Sequence, residues 1–475
     1  MKTPDWSELD AAYQAACRML SGAPGAVHLL GIGGVGMAAL AVQLHGCGYA
    51  VSGCDAQSNR ITSRLRALGI TALVGHSPEH LVGGFQFAVR SPAVRDSEPE
   101  LLAAQAMGLP VFARGVVLPA LLRQRESVAV AGSHGKTTTT AMLTHILRLC
   151  GRSVGFAIGG EVDAVGTVGA FSAQGPLVVE ADESDGTLAL YEAERAILTN
   201  VELDHVDNFR SAAELDACFE RFVSRTRESV WFCADDEGAA RAARGHPRAH
   251  SFGFGGAADL RAHSVQEAGL SISAAVARGG AELGRFALAV PGRTNLLNAL
   301  GALGVAMELG APFAEAAAAL GSFSGVRRRF ERIAEAKGRL VLSDYAHHPT
   351  EIRALLDQVR ALGGRRVLAV YQPHRYSRTA ALAAQFAPAF AGVDELVLAP
   401  VYGAFEQPVE GGTSADLFRH FEGSRQSVAL AHSLLEAWEL IRDKWREGDV
   451  LLVIGAGDVE KIAGWAADHL ASQPV

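Results

Sequence analysis

The chain has 475 residues, enough for about three domains at roughly 150 residues each. Its hydrophobic fraction of 49% excludes a largely disordered protein. The formal net charge of −8 provides no electrostatic attraction for nucleic acid or an anionic membrane, so we expect neither as a partner.

Neither a secretion signal nor a membrane span is predicted, because the first twenty residues are polar and amphipathic. Residues 21–54 carry no Asp, Glu, Lys or Arg and are long enough for a span. The glycines of "GIGGVG" nevertheless divide this stretch into strand, turn and helix.

The six cysteines contain no Cys-x-x-Cys pair. We therefore expect neither a disulfide framework nor a zinc site, and we expect a cytoplasmic location.

The first unit of the chain begins with a strand, "VHLLGI", a glycine turn and a helix, followed by a second strand, "YAVSGCD". The turn fits G-x-G-x-x-G, which holds a pyrophosphate at a helix N-terminus, with an acidic residue near a ribose. A UDP-sugar satisfies the pyrophosphate part as well as NAD does. The candidate residues are Gly31, Gly33, Gly34, Val35, Gly36 and Asp55.

A second start occurs at "VAVAGSHGKTTTTAM", residues 128–142, where a strand meets a glycine turn that begins a helix. Backbone N–H groups in such a turn face a phosphate. The strict P-loop has glycine where this chain has Val130, so the match is to a shortened version. Lys136 is predicted to contact the β and γ phosphates, and the Thr137 hydroxyl is predicted to bind Mg²⁺. The predicted phosphate-binding residues are Gly132, Ser133, His134, Gly135, Lys136, Thr137 and Thr138.

Acidic residues follow the next two strands of this unit. "VVEADESD" contributes Glu180, Asp182, Glu183 and Asp185, and "LTNVELDHVDNF" contributes Asp204, His205 and Asp207. Mg²⁺ prefers oxygen ligands, and strand ends beside a P-loop strand are suitable positions for them.

Around residues 258–290 the pattern changes to antiparallel strands at the edge of the sheet, followed by two alanine-rich helices. The polar stretch 323–331, "FSGVRRRFE", is typical of a domain junction. Strands and helices alternate elsewhere, which indicates an α/β fold with parallel sheets. The predicted domains are 1–120, 121–326 and 327–475.

Two strand ends in the third domain carry polar clusters. "SDYAHHPTEI" contributes Asp344, Tyr345, His347 and His348, and "YQPHRYSRT" contributes His374, Arg375 and Arg378. Such clusters at the carboxyl edge of a parallel sheet predict a pocket. Arg375 and Arg378 are suited to clamping a carboxylate.

Taken together, these motifs resemble the Mur ligase family over roughly residues 26–465. The resemblance rests on nine segments in the family's order: "GIGGVGMAALA", "GSHGKTTTT", "EADESDGT", "LTNVELDHVDNF", "PGRTNLLNA", "FSGVRRRFE", "DYAHHPTEI", "QPHRYSRT" and "GAGD".

The resemblance implies three domains: a Rossmann-like domain for a UDP-sugar, a central P-loop ATPase-like domain, and a Rossmann-like domain for an amino acid. It implies an amide-forming ligase with ATP and Mg²⁺, and UDP-N-acetylmuramate and L-alanine as substrates. The implied metal-binding residues are Thr137, Glu180 and His205, and the implied catalytic residues are Lys136, Glu180, His205 and His347. Asn295, Asn298, Arg329 and Asp344 are implied to complete the ATP site, and Tyr345, His347, Arg375 and Arg378 to hold the amino acid. We expect a monomer or a weak homodimer.

The chain departs from the family pattern at Arg90, Thr294, Ser343 and Phe405.

Three alternatives for the function stay open. A recycling ligase that adds a whole peptide shares the "HHP" loop. An NAD-dependent oxidoreductase would explain "GIGGVG" but not the P-loop. A nucleotide-switched regulator would leave the third-domain cluster unexplained.

Overall fold

The computed structural model describes residues 6–160, 162, 165–203, 208–209, 211–404, 406–423 and 426–472. Within these residues the chain forms three α/β units, each built on its own sheet. We refer to them as the N-terminal, central and C-terminal units. The predicted three-part α/β architecture is thereby confirmed.

The N-terminal unit contains five parallel strands among the described residues. The strands are β1 (Ala26–Leu30), β2 (Ala50–Asp55), β3 (Thr71–Val74), β4 (Phe87–Arg90) and β5 (Val111–Ala113). Their order in the sheet is β3-β2-β1-β4-β5. The helices are α1 (Trp6–Leu20), α2 (Val35–Gly46), α3 (Arg60–Ala67), α4 (Pro99–Ala106) and α5 (Arg114–Leu122), with a 3₁₀ helix at Pro78–Leu81. The central strand β1 is almost fully buried, which is why its sequence is apolar nearly throughout.

The central unit has the largest sheet in the described part of the chain. Its strands are β6 (Ser127–Ala131), β7 (Gly155–Ala157), β8 (Gly169–Ala170), β9 (Leu177–Glu180), β10 (Arg195–Leu198), β11 (Ser229–Cys233), β12 (Ala249–Gly253), β13 (Leu260–Ala268), β14 (Ser271–Arg278) and β15 (Ala281–Leu288). They follow the order β15-β14-β13-β12-β11-β10-β6-β9-β7-β8. The pairs β13–β14 and β14–β15 are antiparallel and lie at the edge, as predicted.

The helices of the central unit are α6 (Lys136–Leu149), α7 (Ala212–Arg225), α8 (Glu237–Ala242), α9 (Arg293–Glu308) and α10 (Phe313–Gly321), with a 3₁₀ helix at Thr187–Leu190. The two alanine-rich helices α9 and α10 pack against α6 through small side chains. A Cβ added at Gly304 would lie 2.4 Å from the ring of the buried Trp231. The close approach of α9 to Trp231 therefore requires glycine at this position.

The C-terminal unit contains β16 (Glu331–Ala336), β17 (Arg339–Asp344), β18 (Val367–Tyr371), β19 (Glu395–Leu398), β20 (Ser427–Leu430) and β21 (Val450–Ile454). Their order is β16-β17-β21-β18-β19-β20. The β16–β17 pair is antiparallel, and the other pairs are parallel. The helices are α11 (Pro349–Arg360), α12 (Tyr376–Ala389), α13 (Ser414–Arg419), α14 (Leu434–Arg442) and α15 (Glu460–Ser472).

The predicted boundaries at residues 120 and 326 stay predictions. Residue 120 lies inside α5, and residue 326 lies between α10 and β16. Among the residues that the structure describes, no helix combines the length and apolar character needed to cross a membrane.

Candidate functional site

The glycine turn of the central unit connects β6, which ends at Ala131, to α6, which begins at Lys136. Gly132 has φ +136° and Gly135 has φ +84°, conformations that favour glycine. A Cβ on Gly132 would lie 2.0 Å from Thr199 Oγ1, and one on Gly135 would lie 2.6 Å from Asn298 Oδ1. The turn is therefore closely packed, and only glycine fits at both positions.

Lys136 is held in place by the turn it follows. Its Nζ donates to the carbonyls of Gly132 (2.6 Å) and Ser133 (3.1 Å), and it pairs with Glu183 Oε2 at 2.8 Å. Burial opposes the lysine's charge, but the neighbouring carboxylates, Glu183 foremost, outweigh it and raise the pKa of Lys136. The ammonium group is therefore charged at neutral pH and lies against the carbonyl groups of the turn.

Glu180 at the end of β9 faces the first residues of α6. It accepts hydrogen bonds from Thr137 Oγ1 at 3.0 Å and from the Gly159 N–H at 2.8 Å. Burial raises its pKa, with Lys136 acting in the opposite direction. A half-buried carboxylate beside a hydroxyl group is a donor set that fits Mg²⁺. The third predicted ligand, His205, lies outside the described residues, as do Asp204 and Asp207.

The two other acids after Glu180 have structural partners. Asp182 Oδ1 accepts from the Ser184 N–H at 3.0 Å, and Asp185 Oδ1 accepts from the Thr187 hydroxyl at 2.5 Å. The ion pair of Glu183 with Lys136 was not predicted, because the sequence alone did not distinguish it from its acidic neighbours.

A cavity of about 310 Å³ lies between the glycine turn and the start of the C-terminal unit. Eight of the predicted ATP-binding residues line it: His134, Gly135, Thr137, Thr138, Asn295, Asn298, Arg329 and Asp344. Asn295 donates to the Pro291 carbonyl at 2.7 Å, which orients its side chain at the start of α9. Thr294, which departs from the family pattern, also lines this cavity.

Asp344 closes the cavity from the C-terminal unit. Its carboxylate accepts from the backbone N–H groups of Phe330 (2.6 Å) and Ala346 (2.7 Å). Burial raises the pKa of Asp344 to about 6, although Arg329 acts in the opposite direction. These hydrogen bonds fix the carboxylate where β17 ends, next to the residue that precedes β16.

Two carboxylates that were not predicted join the central unit to the C-terminal unit. Glu351 in the first turn of α11 pairs with His134 Nδ1 (3.3 Å) and Arg329 Nη1 (3.3 Å). Glu202, after β10, accepts from the Thr350 hydroxyl at 2.6 Å and lies 3.2 Å from His134 Nε2. The His134 ring thus lies between two acids from different units.

Both acids are ionised in spite of their burial. Burial opposes ionisation of Glu351, but His347, His134 and Arg329 outweigh it and hold its pKa well below the usual range. In Glu202, hydrogen bonds from His134 and Thr350 overcome burial and lower its pKa to about 2. Glu351 belongs to the "HPTE" capping box of α11, a signal that indicated only a helix start.

The four residues predicted to hold an amino acid lie in one cavity of about 880 Å³: Tyr345, His347, Arg375 and Arg378. Lys136, Thr137 and Glu180 line the same cavity. His347 Nδ1 lies 3.0 Å from the Tyr345 carbonyl oxygen. The Arg378 guanidinium is buried and contacts His374 Nδ1 at 3.2 Å.

The glycine turn of the N-terminal unit forms part of a third cavity, of about 490 Å³, through Gly34, Val35 and Gly36. Gly33 and Asp55 are not among the described residues that line it. Instead, the Gly33 N–H donates to Asp55 Oδ2 at 2.9 Å. Asp55 thus holds the turn itself, and its predicted contact with a ribose stays untested.

The remaining departures from the family pattern have different surroundings. Arg90, at the end of β4, pairs with Asp96 at 2.6 Å. Ser343 is buried in β17 and lines the cavity of the amino-acid cluster. Phe405 lies outside the described residues.

Three models of the Mur ligase family match the chain in sequence. The model described as Mur ligase family, catalytic domain, matches residues 26–126. The Mur ligase middle domain matches residues 130–306, and the Mur ligase, glutamate ligase domain matches residues 328–457.

The chain is also similar to whole proteins. It is 44% identical to the UDP-N-acetylmuramate–L-alanine ligase of Kineococcus radiotolerans over 94% of this chain and 97% of that protein. The solved structure of UDP-N-acetylmuramate–alanine ligase from Thermotoga maritima covers 94% of this chain and 99% of its own, with a TM-score of 0.80 and 29% identity. A murein peptide ligase from Psychrobacter arcticus shares the fold, with a TM-score of 0.69, 24% identity, and coverage of 95% of this chain and 99% of its own.

The family models together follow the three sheets from the N-terminal to the C-terminal unit. The relatives extend the similarity over nearly the full length. An oxidoreductase and a nucleotide-switched regulator are therefore no longer viable alternatives. The chain belongs to the Mur ligase family.

Proposed function

We propose that this protein uses ATP to join L-alanine to the carboxylate of UDP-N-acetylmuramate, by way of an acyl phosphate. One observation carries the proposal: Val35, Gly159, Glu180, Asp182 and Arg375 line both the cavity of the N-terminal glycine turn and the cavity of the amino-acid cluster. A sugar nucleotide, a γ-phosphate and an amine would therefore meet beside Glu180. The activity in the name of the Kineococcus relative supports this choice of substrates.

In the first step, a carboxylate oxygen of the sugar nucleotide attacks the γ-phosphorus of ATP, and ADP leaves. Two anions must approach each other, so positive charge is needed at the transferring oxygens. Lys136 supplies one such charge beside Glu180 and Thr137. Thr137 and Glu180, together with His205, would hold Mg²⁺, which when bound neutralises charge on the phosphate oxygens.

In the second step, the amine of L-alanine attacks the acyl carbon, and inorganic phosphate leaves the tetrahedral intermediate. The amine must lose a proton, and we propose His347 as the group that accepts it. His347 Nδ1 lies 3.0 Å from the Tyr345 carbonyl oxygen and 3.4 Å from Glu351 Oε2, both of which are acceptors. A neutral ring then carries its proton on Nδ1, which makes Nε2 the accepting nitrogen.

Arg375 and Arg378 would bind the carboxylate of L-alanine from the opposite side of the cavity. Arg378 is 5% exposed, and its guanidinium is fixed beside His374. A planar guanidinium held in this way can donate two parallel hydrogen bonds to a carboxylate. Orienting the amine and the acyl group in one cavity is potentially worth ~7–11 kcal/mol of the barrier.

We also propose that the enzyme works in the cytoplasm, where ATP and reduced thiols are found. All six cysteines are free, which is compatible with a reducing compartment. The monomer or weak dimer expected from the sequence stays a prediction.

The direct test is phosphate release with ATP, Mg²⁺ and UDP-N-acetylmuramate, in the presence of L-alanine, L-serine, glycine or the murein tripeptide in turn. We expect release that requires the sugar nucleotide and is fastest with L-alanine. Release with the tripeptide alone would identify a recycling ligase instead. Release that is independent of the sugar nucleotide would contradict the proposed acyl phosphate.

A further inference from the structure

Five side chains with metal-ligating atoms converge in the N-terminal unit, away from the cavities described above. Glu100, in the first turn of α4, lies at their centre. Its Oε1 is 2.9 Å from His28 Nε2 and 3.1 Å from His80 Nδ1, and its Oε2 is 3.0 Å from Cys54 Sγ. His76 Nδ1 lies 3.0 Å from the same sulfur.

We propose that His28, Cys54, His80 and Glu100 bind a zinc ion. Their donor atoms all lie within 4.8 Å of one another. Imidazole nitrogen, thiolate sulfur and carboxylate oxygen are the ligand types that Zn²⁺ takes, normally four in a tetrahedron. The sequence did not predict this site because it lacks a Cys-x-x-Cys pair.

The contacts to Glu100 are close to the separations between donor atoms in such a tetrahedron. Zinc–ligand distances of about 2.0–2.3 Å require neighbouring donor atoms to be roughly 3.3–3.7 Å apart. The three contacts to Glu100 are 2.9, 3.0 and 3.1 Å. The two histidines contact Oε1 and Cys54 contacts Oε2, so an ion requires these three contacts to lengthen by roughly half an ångström or less.

Burial distinguishes this cluster from surface groups. His28, Cys54 and Glu100 are all 0% exposed, and Leu30 and Leu101 lie in the apolar cluster that contains Cys54. Apolar side chains of similar volume would fill such a site at no electrostatic cost, so packing alone does not explain these residues. His80 is 18% exposed, which provides a route from solvent.

Further contacts orient the proposed ligands. His28 and Ser52 are register partners in β1 and β2, and His28 Nδ1 lies 2.9 Å from Ser52 Oγ. This contact directs Nε2 toward the cluster, as in zinc sites where the second ring nitrogen is held by an outer hydrogen bond. The Ser77 N–H donates to Glu100 Oε2 at 3.2 Å.

The protonation states are those of a metal-free cluster. Burial opposes ionisation of Glu100, but hydrogen bonds from His28 and Cys54 outweigh it and lower its pKa to about 2. Burial and the nearby Glu100 raise the pKa of the Cys54 thiol. Zinc binding therefore forms an S–Zn bond and releases the thiol proton to solvent, since the thiolate is the ligand.

A zinc ion here would act on the glycine turn next to it. The Cys54 carbonyl accepts from the N–H groups of Gly31 (2.8 Å) and Ile32 (3.0 Å). Fixing the Cys54 side chain would thus also fix the backbone from which "GIGGVG" begins. The proposed role is structural and does not depend on the function proposed above.

Cobalt titration of the full-length protein, followed by absorbance, tests the proposal. A thiolate ligand gives a sulfur-to-cobalt charge-transfer band, which the second His/Glu group, His134–Glu202–His348, cannot produce because it has no sulfur. We expect this band at one equivalent in the wild type and in Cys218→Ser, which changes a buried cysteine elsewhere. We expect its loss in Cys54→Ser, and its reversal on adding zinc. A wild-type protein without the band, or a band that persists in Cys54→Ser, would overturn the proposal.

Thermal melting provides a second readout if a variant folds poorly. Zinc at 100 times its Kd adds about 2.7 kcal/mol to the folded state, so we expect a clear rise in the melting temperature of the wild type and of Cys218→Ser. His80→Ala, which changes the most exposed of the four ligands, is expected to lose most of that rise. An equal rise in His80→Ala would contradict the assignment of His80.

Discussion

At the scale of single residues, Glu351 lines both the cavity of about 310 Å³ and the cavity of about 880 Å³. Its carboxylate lies 3.3 Å from both His134 Nδ1 and Arg329 Nη1, and it accepts the His347 N–H at 2.9 Å. Three positively charged or polarised groups thus depend on one anion that is largely buried. Removing the charge leaves these groups without a countercharge. The free energy lost in this way is usually greater than the net free energy that the ion pair contributes.

We therefore expect Glu351→Gln to lower kcat/KM by about 100-fold, which corresponds to about 2.7 kcal/mol. The amide keeps the size of the side chain but cannot balance His134 and Arg329. Steady-state phosphate release measures the effect. Glu335→Gln, on an exposed strand of the same unit, serves as the control, and an equal loss in both variants would contradict the special role of Glu351.

Lys136 is the residue at which a substitution should most clearly slow the chemical step without weakening the binding of the sugar nucleotide. It lies at the glycine turn of the central unit, whereas the predicted sugar-nucleotide residues Gly34–Gly36 lie on another unit. We expect Lys136→Ala to lower kcat by about 100- to 1,000-fold, the range of losses seen when a group that stabilises transition-state charge is removed.

Calorimetric titration with UDP-N-acetylmuramate is the second measurement on Lys136→Ala, and we expect its Kd to change less than about threefold. Lys461→Ala, on the surface of α15, is the matched control. Loss of sugar-nucleotide binding in Lys136→Ala alone would show that the two sites are not independent.

The residues of the site were predictable to different degrees. Lys136, Thr137 and Glu180 line the same cavity. Their meeting was predictable, because a P-loop and an acidic residue at a neighbouring strand end are local sequence patterns. The roles of Glu202 and Glu351, and the pairing of Glu183 with Lys136, were missed because the partners are distant in sequence: Glu202, for example, contacts Thr350 across 148 positions. Asp55 was placed near a ribose from its position at the end of β2, and this contact stays a prediction; its hydrogen bond from the Gly33 N–H was not predicted.

At the scale of secondary-structure elements, the buried strands were the predictable part of the fold. Strands such as β6, β18 and β21 are buried over their full length and almost entirely apolar, because both faces are covered. The edge strands β16 and β20 were not predicted, since "ERIAEA" and "SVAL" are half-exposed and lack a continuous apolar run.

The start of α6 depends on a turn that tolerates no side chain at its first glycine. We expect Gly132→Ala to weaken ATP binding at least tenfold, because the added Cβ would meet Thr199 Oγ1 at 2.0 Å and the residue has φ +136°. Gly151 follows the same helix and has φ +69°, and no atom lies within 4 Å of a Cβ added there. Gly151→Ala therefore introduces backbone strain without a steric clash. Titration with a fluorescent nucleotide compares the Kd values of Gly132→Ala and Gly151→Ala. Equal Kd values would show that the clash at Gly132 is relieved, which would contradict the prediction.

At the scale of the whole molecule, the contact between the central and C-terminal units should respond to acid. The pKa of Glu202 is about 2, because hydrogen bonds from His134 and Thr350 outweigh its burial. Between that value and the ordinary value of 4.5, the unfolded chain binds more protons than the folded one. The stability that Glu202 contributes is thus fully present above pH 4.5 and is lost as the pH falls toward 2.

We expect Glu202→Gln to reduce the fall in melting temperature between pH 5 and pH 3. The Glu202 side chain is 38% exposed, so solvent screening limits the effect to on the order of 1 kcal/mol, or about 2–4 °C. Thermal scans in parallel buffers measure it. Glu228→Gln, an exposed acid paired with Arg248, is the control, and unchanged pH dependence in Glu202→Gln would contradict the assignment.

The contact between Glu202 and Thr350 also has a consequence for synthesis of the chain. The 148 positions between them take roughly 7–30 s to translate at about 5–20 residues per second. For most of that interval, until Arg329 is added, the nascent chain carries the P-loop without Arg329, Asp344 and Glu351, which line the cavity beside the glycine turn. Ribosome-arrested chains that end before Arg329 should therefore retain ATP much less well than the released protein.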